Sequence, residues 1–216
     1  MAGQNFDAVI DSYRGSVPRS LVYGVISVES NFIPGVVSRA TVPGGGPKHG
    51  LMQPTRAGLA AIGGTSANLD NPIDNIKIGC SILNYYLRSL RLDFPGAFDQ
   101  QLDTDANAAA VLLHAYNGTY DDTVRLLRSS STTSYRTIEG ANPSDPVIGL
   151  HYVDRVLEAA RRYGYTAILP AAAPTPAPAP APAEKKGHAL AWLLGAAAVG
   201  GGVALFVHHK HHKRVR

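Results

Sequence analysis

Glu29 is the residue of this 216-residue chain best placed to do chemistry. It follows Val22 and Val25 by seven and four positions and precedes Phe32 by three. On a helix that spacing puts its carboxylate on the apolar side, near the helix end. Burial disfavours the charged form and raises a carboxyl pKa. A raised pKa is what a general acid needs near neutral pH. Two other dispositions stay open: a carboxylate turned into water, or one paired with a cation such as Arg39. Gly50-Leu51-Met52-Gln53 follows a glycine-rich loop, Thr41 to His49. Glycine permits close backbone approach, and the Gln53 amide can read a neutral polar ligand as donor or acceptor; the same string also reads as a loop closing with core Leu and Met. Ala115-Tyr116-Asn117-Gly118 ends an apolar stretch. Tyr116 and Asn117 there could stack on and hydrogen-bond a sugar, or Asn-Gly could simply stop a helix.

Other chemistries find no support. The chain has one cysteine, Cys80, so neither an internal disulfide nor a cysteine-built metal site is expected. Cys80 lies on an apolar stripe and reads as core packing. His114 and His151 are isolated, and no metal site is legible. Gly44-Gly45-Gly46-Pro47-Lys48 lacks the spacing and the Ser/Thr of a phosphate loop. No Gly-x-Ser-x-Gly elbow occurs.

The elements that must position these residues read as helices. Ser16 is a candidate cap for a helix with Pro18 in its first turn, running through Leu21, Val22, Val25 and Val28 to about Ser30. Asn71-Pro72 opens a longer helix to about Leu92, with Ile73, Ile76, Cys80, Leu83 and Leu87 on one stripe. Asp105 to Tyr116, Asp121 to Arg128 and Pro146 to Tyr163 complete the set. Pro34 to Gly50 is loop-like apart from Gly35-Val36-Val37-Ser38, so the class is mainly α with at most a small β-hairpin.

Charge and composition divide the chain. Residues 1–169 hold 14 Lys+Arg against 15 Asp+Glu, and residues 170–216 hold 6 against 1. The basic character therefore belongs to the tail, which removes the main support for a nucleic-acid-binding domain. The reading is a globular domain over 1–169, an Ala/Pro-rich linker over 170–187, a transmembrane helix over 188–207 and a basic tail over 208–216. Six prolines in Pro170–Ala183 remove backbone donors, giving an extended spacer of roughly 43 Å at about 3.1 Å per residue. Ala189–Val207 carries no charge and as a helix spans about 28 Å, close to a bilayer core. Trp192 near one end suits the interface, and small residues four apart, Ala196/Gly200 to Ala198/Gly202, hint at helix pairing. The tail holds four Lys/Arg and four His; anionic headgroups, nucleic acid and a metal ion are its alternative partners, headgroups being the plainest. The positive-inside rule puts the tail on the cytoplasmic side or its equivalent. Met1 to Asp11 show no basic start followed by an apolar run, so a cleavable signal peptide is not expected.

In order along the chain stand Glu29-Ser30-x-Phe32-x-Pro34, Ser38, Gly50-Leu51-Met52-Gln53, Asn71-Pro72-x-x-Asn75-Ile76-x-x-Gly79-x-x-x-Leu83, Ala115-Tyr116-Asn117-Gly118 and Tyr152-Val153-x-x-Val156. Taken together over about Val17 to Tyr163, the sequence resembles the soluble lytic transglycosylase (SLT) family of peptidoglycan-cleaving enzymes, relatives of goose-type lysozyme. The resemblance implies a lysozyme-like helical domain with a cleft for a glycan strand and no metal or organic cofactor. It implies Glu29 as the single catalytic acid/base. Gln53, with Gly50 and Met52 through their backbone, would contact acetamido groups. Tyr116 and Asn117 would line the cleft and orient Glu29, Ser30 would belong to the substrate-binding set, and Tyr152 would support Glu29. The implied reaction cleaves the bond between N-acetylmuramic acid and N-acetylglucosamine and leaves 1,6-anhydromuramyl ends. A hydrolytic lysozyme on the same site, or a non-catalytic peptidoglycan-binding membrane protein, are the alternatives. The stretch from Glu29 to Gly50 is longer than the family's usual, and Val147 to Leu150 stand where many members have a Glu-Thr. With no signal peptide, a wall-cleaving domain on a stalk and C-terminal anchor fits the virion membrane of a phage, and otherwise a bacterial inner membrane with the domain facing the wall. Oligomeric state is not legible.

Overall fold

The computed structural model describes residues 6–38, 47–64, 68–139 and 149–169. They form eight α-helices: α1 (Asp7–Tyr13), α2 (Arg19–Ser30), α3 (Arg56–Ala61), α4 (Pro72–Asp93), α5 (Ala106–Asn117), α6 (Tyr120–Ser129), α7 (Tyr135–Ile138) and α8 (Gly149–Arg161). The expected mainly α class holds. Among the described residues the β content is one antiparallel bridge between Val37 and His49. Ser38 N–H donates to the Lys48 carbonyl at 2.9 Å and Gly50 N–H to the Val36 carbonyl at 2.9 Å, so the described part of the expected hairpin is its base.

Local chemistry sets the helix starts. Asn71 Oδ1 accepts from Ile73 and Asp74 N–H at 2.9 and 3.2 Å, with Pro72 at the first helical position. Asp105 caps α5 through Ala108 N–H, and Thr119 caps α6 through Asp122 N–H. The expected cap at Ser16 is not formed. Pro18 occupies the cap position of α2 with φ −57° and ψ 137°, and its carbonyl takes the Leu21 and Val22 N–H groups. The fixed φ of proline makes that start without a side-chain cap. Gly118 ends α5, as an Asn-Gly pair predicts.

The longest helix, α4, crosses the core. Ile76, Cys80, Leu83 and Leu87 are buried on it, together with Asn75, Gly79, Ile82, Tyr86 and Leu90. Ile73, expected on the same stripe, is 41% exposed, although Asn75 and Ile76 beside it are buried. Cys80 is a free, fully buried thiol, and burial pushes its pKa up to about 12. α5 is nearly all buried, from Ala106 to Tyr116, as a continuous apolar helix should be. Helices α2 and α8 pack closely because Gly24 has no side chain: a Cβ there would stand 2.6 Å from the Val156 carbonyl oxygen. Arg19 binds Asp11, and Tyr23 donates to Asp7 at 2.6 Å, which fastens α1 against α2.

No helix among the described residues is long and apolar enough to cross a membrane. The linker 170–187, the apolar run 188–207 and the basic tail 208–216 lie outside the described residues, as does Arg39.

Candidate active site

Glu29 sits in the last turn of α2. The chain then turns sharply: Asn31 and Phe32 both adopt left-handed backbone, φ 49° and 62°. Asn31 tolerates this conformation, whereas Phe32 carries strain there. Ser30 is 5% exposed and donates its hydroxyl back to the Ile26 carbonyl at 3.0 Å. Its hydroxyl proton is thus committed within the helix.

The Glu29 carboxyl group keeps a limited opening to solvent but is densely surrounded by protein. Burial raises its pKa above the usual 4.5, against the lowering effects of Lys48, the Tyr152 hydrogen bond and Arg155. The Tyr152 hydroxyl donates to Glu29 Oε1 at 2.8 Å. This is the bond that orients the acid. Tyr116, expected to do so, donates instead to the Met52 carbonyl at 2.7 Å. Both tyrosines are nearly inaccessible, and burial first and the charge of Glu29 second push their phenols far up. Both therefore stay protonated donors. Arg39, the alternative partner of Glu29, lies outside the described residues; among the described ones Glu29 forms no ion pair.

The Gly50–Gln53 segment is held in a frame of directed bonds. Gly50 has φ 80°, and a Cβ there would lie 2.2 Å from Asn75 Nδ2. Glycine is required on both counts. Asn75, wholly buried in the first turn of α4, accepts from Met52 N–H at 2.7 Å and donates to the His49 and Leu69 carbonyls at 2.8 and 2.9 Å. Met52 is buried, and Gly79 makes room for its side chain: a Cβ at 79 would stand 2.4 Å from Met52 Sδ. Gln53 also has positive φ, 47°. Its Nε2 donates to the Val36 and Gly50 carbonyls at 2.8 Å each. Its Oε1 is buried and has no partner among the described residues. That leaves a buried carbonyl-type acceptor with its hydrogen-bonding capacity unused. Asn117, the last residue of α5, is partly exposed beside Tyr116 and makes no side-chain hydrogen bond among the described residues.

The structure thus joins Glu29 to Tyr152, and Tyr116 to the Gly50–Gln53 segment. Two contributors escaped sequence reasoning, and a third, Asn75, stood in its motif with no role assigned, though it was detectable as a polar residue on an otherwise apolar helix face. Arg155 lies one turn after Tyr152 on α8, and Lys48 lies two residues before Gly50; surface cations of this kind carry no sequence signal of their own. His114 is a buried core histidine whose Nδ1 bonds Thr123 Oγ1 at 2.9 Å, and His151 is exposed. Among the described residues no cluster of His, Cys, Asp or Glu could hold a metal ion.

Compared with known proteins, residues 9–139 match the family model described as transglycosylase SLT domain. Tyr152 and α8 lie beyond the matched segment. No curated protein matches the chain.

Proposed function

The chain belongs to the transglycosylase SLT family and is a peptidoglycan lytic transglycosylase, and from that premise we propose that Glu29 alone carries both proton transfers. Its carboxyl group starts protonated, held by the Tyr152 hydroxyl at 2.8 Å. It gives the proton to the glycosidic oxygen between the muramyl and glucosaminyl residues as the C1–O bond breaks. Positive charge develops at C1, and the neighbouring acetamido oxygen stabilises it, so a second carboxylate is not obligatory. Glu29, now a carboxylate, takes the proton of the C6 hydroxyl on the same sugar. That oxygen closes onto C1, a 1,6-anhydro end forms, and no water is consumed. Gln53 Oε1 is the acceptor for an acetamido group, held in place by the bonded backbone of Gly50 and Met52. Asn117, partly exposed, completes the substrate-binding set, whereas the Ser30 hydroxyl is committed to the Ile26 carbonyl.

The observation that carries this reading is a carboxyl group densely surrounded by protein, with a raised pKa and a phenol donor fixed on it. The setting we propose is membrane-anchored, through Ala189–Val207, with Pro170–Ala183 as the stalk. A virion membrane, from which the domain would open the host wall locally for genome delivery, is the membrane we propose, with a bacterial inner membrane as the alternative. Absence of the protein from purified particles would count against the virion.

The test incubates the full-length chain and its Glu29→Gln variant with sacculi and identifies the released fragments by mass spectrometry. Anhydromuramyl ends from the wild type alone are expected. Reducing ends would instead mean a hydrolase on this site, and binding without release in both proteins a non-catalytic module.

A further inference from the structure

A concave pocket of about 630 Å3 lies where the ends of α1 and α3 meet the middle of α4. From α4 it takes Ser81, Asn84, Tyr85 and Arg88. At about 3.6 residues per turn these centre on the side of α4 turned away from Asn75 and Gly79, which hold the Met52 segment. No residue lining the pocket belongs to the Glu29 site. Its wall is firmly built. Asn84 Nδ2 donates to the Tyr13 carbonyl at 2.9 Å and to the Cys80 carbonyl at 3.0 Å, which ties the end of α1 to α4. Gly15, at φ 54°, lets the chain pass this close: a Cβ there would lie 2.4 Å from Asn84 Oδ1. The Lys77 ammonium stands 5.5 Å from the centre of the Tyr13 ring and steadies it.

The groups left open are two tyrosines and a cation. Tyr13 and Tyr85 are 41% and 36% exposed. Arg88 is exposed and forms no ion pair or side-chain hydrogen bond with any described residue. No acidic side chain lines the pocket. A tyrosine offers an apolar ring face beside a polar tip, which matches a sugar ring with C–H groups on its face and hydroxyls at its rim. An unpaired guanidinium fits a carboxylate fork to fork. Peptidoglycan, on which this family acts, carries both together, a sugar ring and an acidic stem peptide.

We propose that this pocket is a second, non-catalytic binding site for peptidoglycan, in which Tyr13 and Tyr85 pack against a sugar ring and Arg88 binds a stem-peptide carboxylate. The inference rests on the transglycosylase reading for the identity of the polymer. It adds a hold on the wall outside the reacting strand.

The test compares full-length chains, all with the same basic tail. Binding is measured by co-sedimentation with sacculi in the Glu29→Gln background, where the wall stays uncut. Turnover is measured with Glu29 in place, on sacculi and on short soluble glycan fragments. Tyr85→Ala and Arg88→Met are each expected to weaken sacculus binding about tenfold, the size of one charge-assisted contact for the arginine. Both should raise KM on sacculi and leave kcat and KM on short fragments at the wild-type values. Amidating the carboxyl groups of the sacculi should weaken binding by the parent and by Tyr85→Ala but not by Arg88→Met, and Arg88→Lys should recover most of the loss. Melting temperatures check folding; if Tyr85→Ala melts early, Arg88→Met at its exposed position carries the test. Folded variants that bind sacculi like their parent overturn the proposal. Equal losses on sacculi and short fragments overturn it too, since the pocket would then act through the catalytic site, as does an Arg88→Met loss that persists undiminished on amidated sacculi. These three results leave the transglycosylase reading intact. Wild type that releases no anhydro ends from sacculi or fragments overturns that reading, and this inference with it.

Discussion

A carboxylic acid that keeps its proton near neutral pH needs a poorly hydrated setting, and Glu29 has one at the end of α2. Its Tyr152 partner works in the opposite direction, because a hydroxyl donor favours the charged form. Replacing Tyr152 with Phe should therefore move the alkaline limb of the activity–pH profile upward while lowering kcat, since the acid gains pKa but loses its orientation. A limb moving downward would contradict the 2.8 Å bond. Glu29→Gln should cut kcat by roughly 10²–10⁴-fold, the usual worth of a positioned acid/base. The same variant should be the more stable protein at neutral pH. The folded-state pKa lies above the ordinary 4.5, so the folded chain retains a proton that the unfolded chain releases. Wild-type stability thus falls as pH rises from about that value through the folded pKa. Melting temperatures of the two proteins should coincide near pH 4, separate in the variant's favour on going up, and stay apart above the folded pKa.

At the scale of elements, two contacts govern the site. The first is the approach of α8 to α2 at Gly24, without which Tyr152 does not reach Glu29. Gly24→Ala would set a Cβ 2.6 Å from a backbone oxygen, and a backbone atom cannot swing aside. The expected result is a lower melting temperature together with a fall in kcat, whereas Gly35→Ala, with nothing within 4 Å of its Cβ, should be neutral in both assays. The second contact is Asn75. Asn75→Ala strands the Met52 N–H and two carbonyls and should cost about 1–3 kcal/mol for each group left buried and unpaired, visible in chemical denaturation. The long helices were legible because apolar periodicity and caps such as Asn71 and Asp105 mark them. The short helices α1, α3 and α7, of 7, 6 and 4 residues, were not, since so few turns give a period no room to repeat. Glu29 was legible from its neighbours on one helix. Its partner was harder, because whether Tyr116 or Tyr152 reaches it depends on how closely α8 approaches, which a pattern along one helix does not encode. Asn75 was visible in its motif, but its three bonds join segments 6 to 26 residues away.

For the whole molecule, charge is balanced over residues 1–169 and basic over 170–216, which is the basis for proposing an anchor in the second part. If the apolar run holds a bilayer, the full-length chain should float with anionic lipid vesicles and resist extraction by alkaline carbonate. A chain ending before residue 184 should stay in the soluble fraction. Recovery of both forms in that fraction would remove the anchor. The buried thiol of Cys80 has a practical side at this scale. A single cysteine placed at an exposed position such as Gln100 would meet no rival for a maleimide dye, so fluorescence could follow one enzyme moving along a glycan strand in the wild-type background.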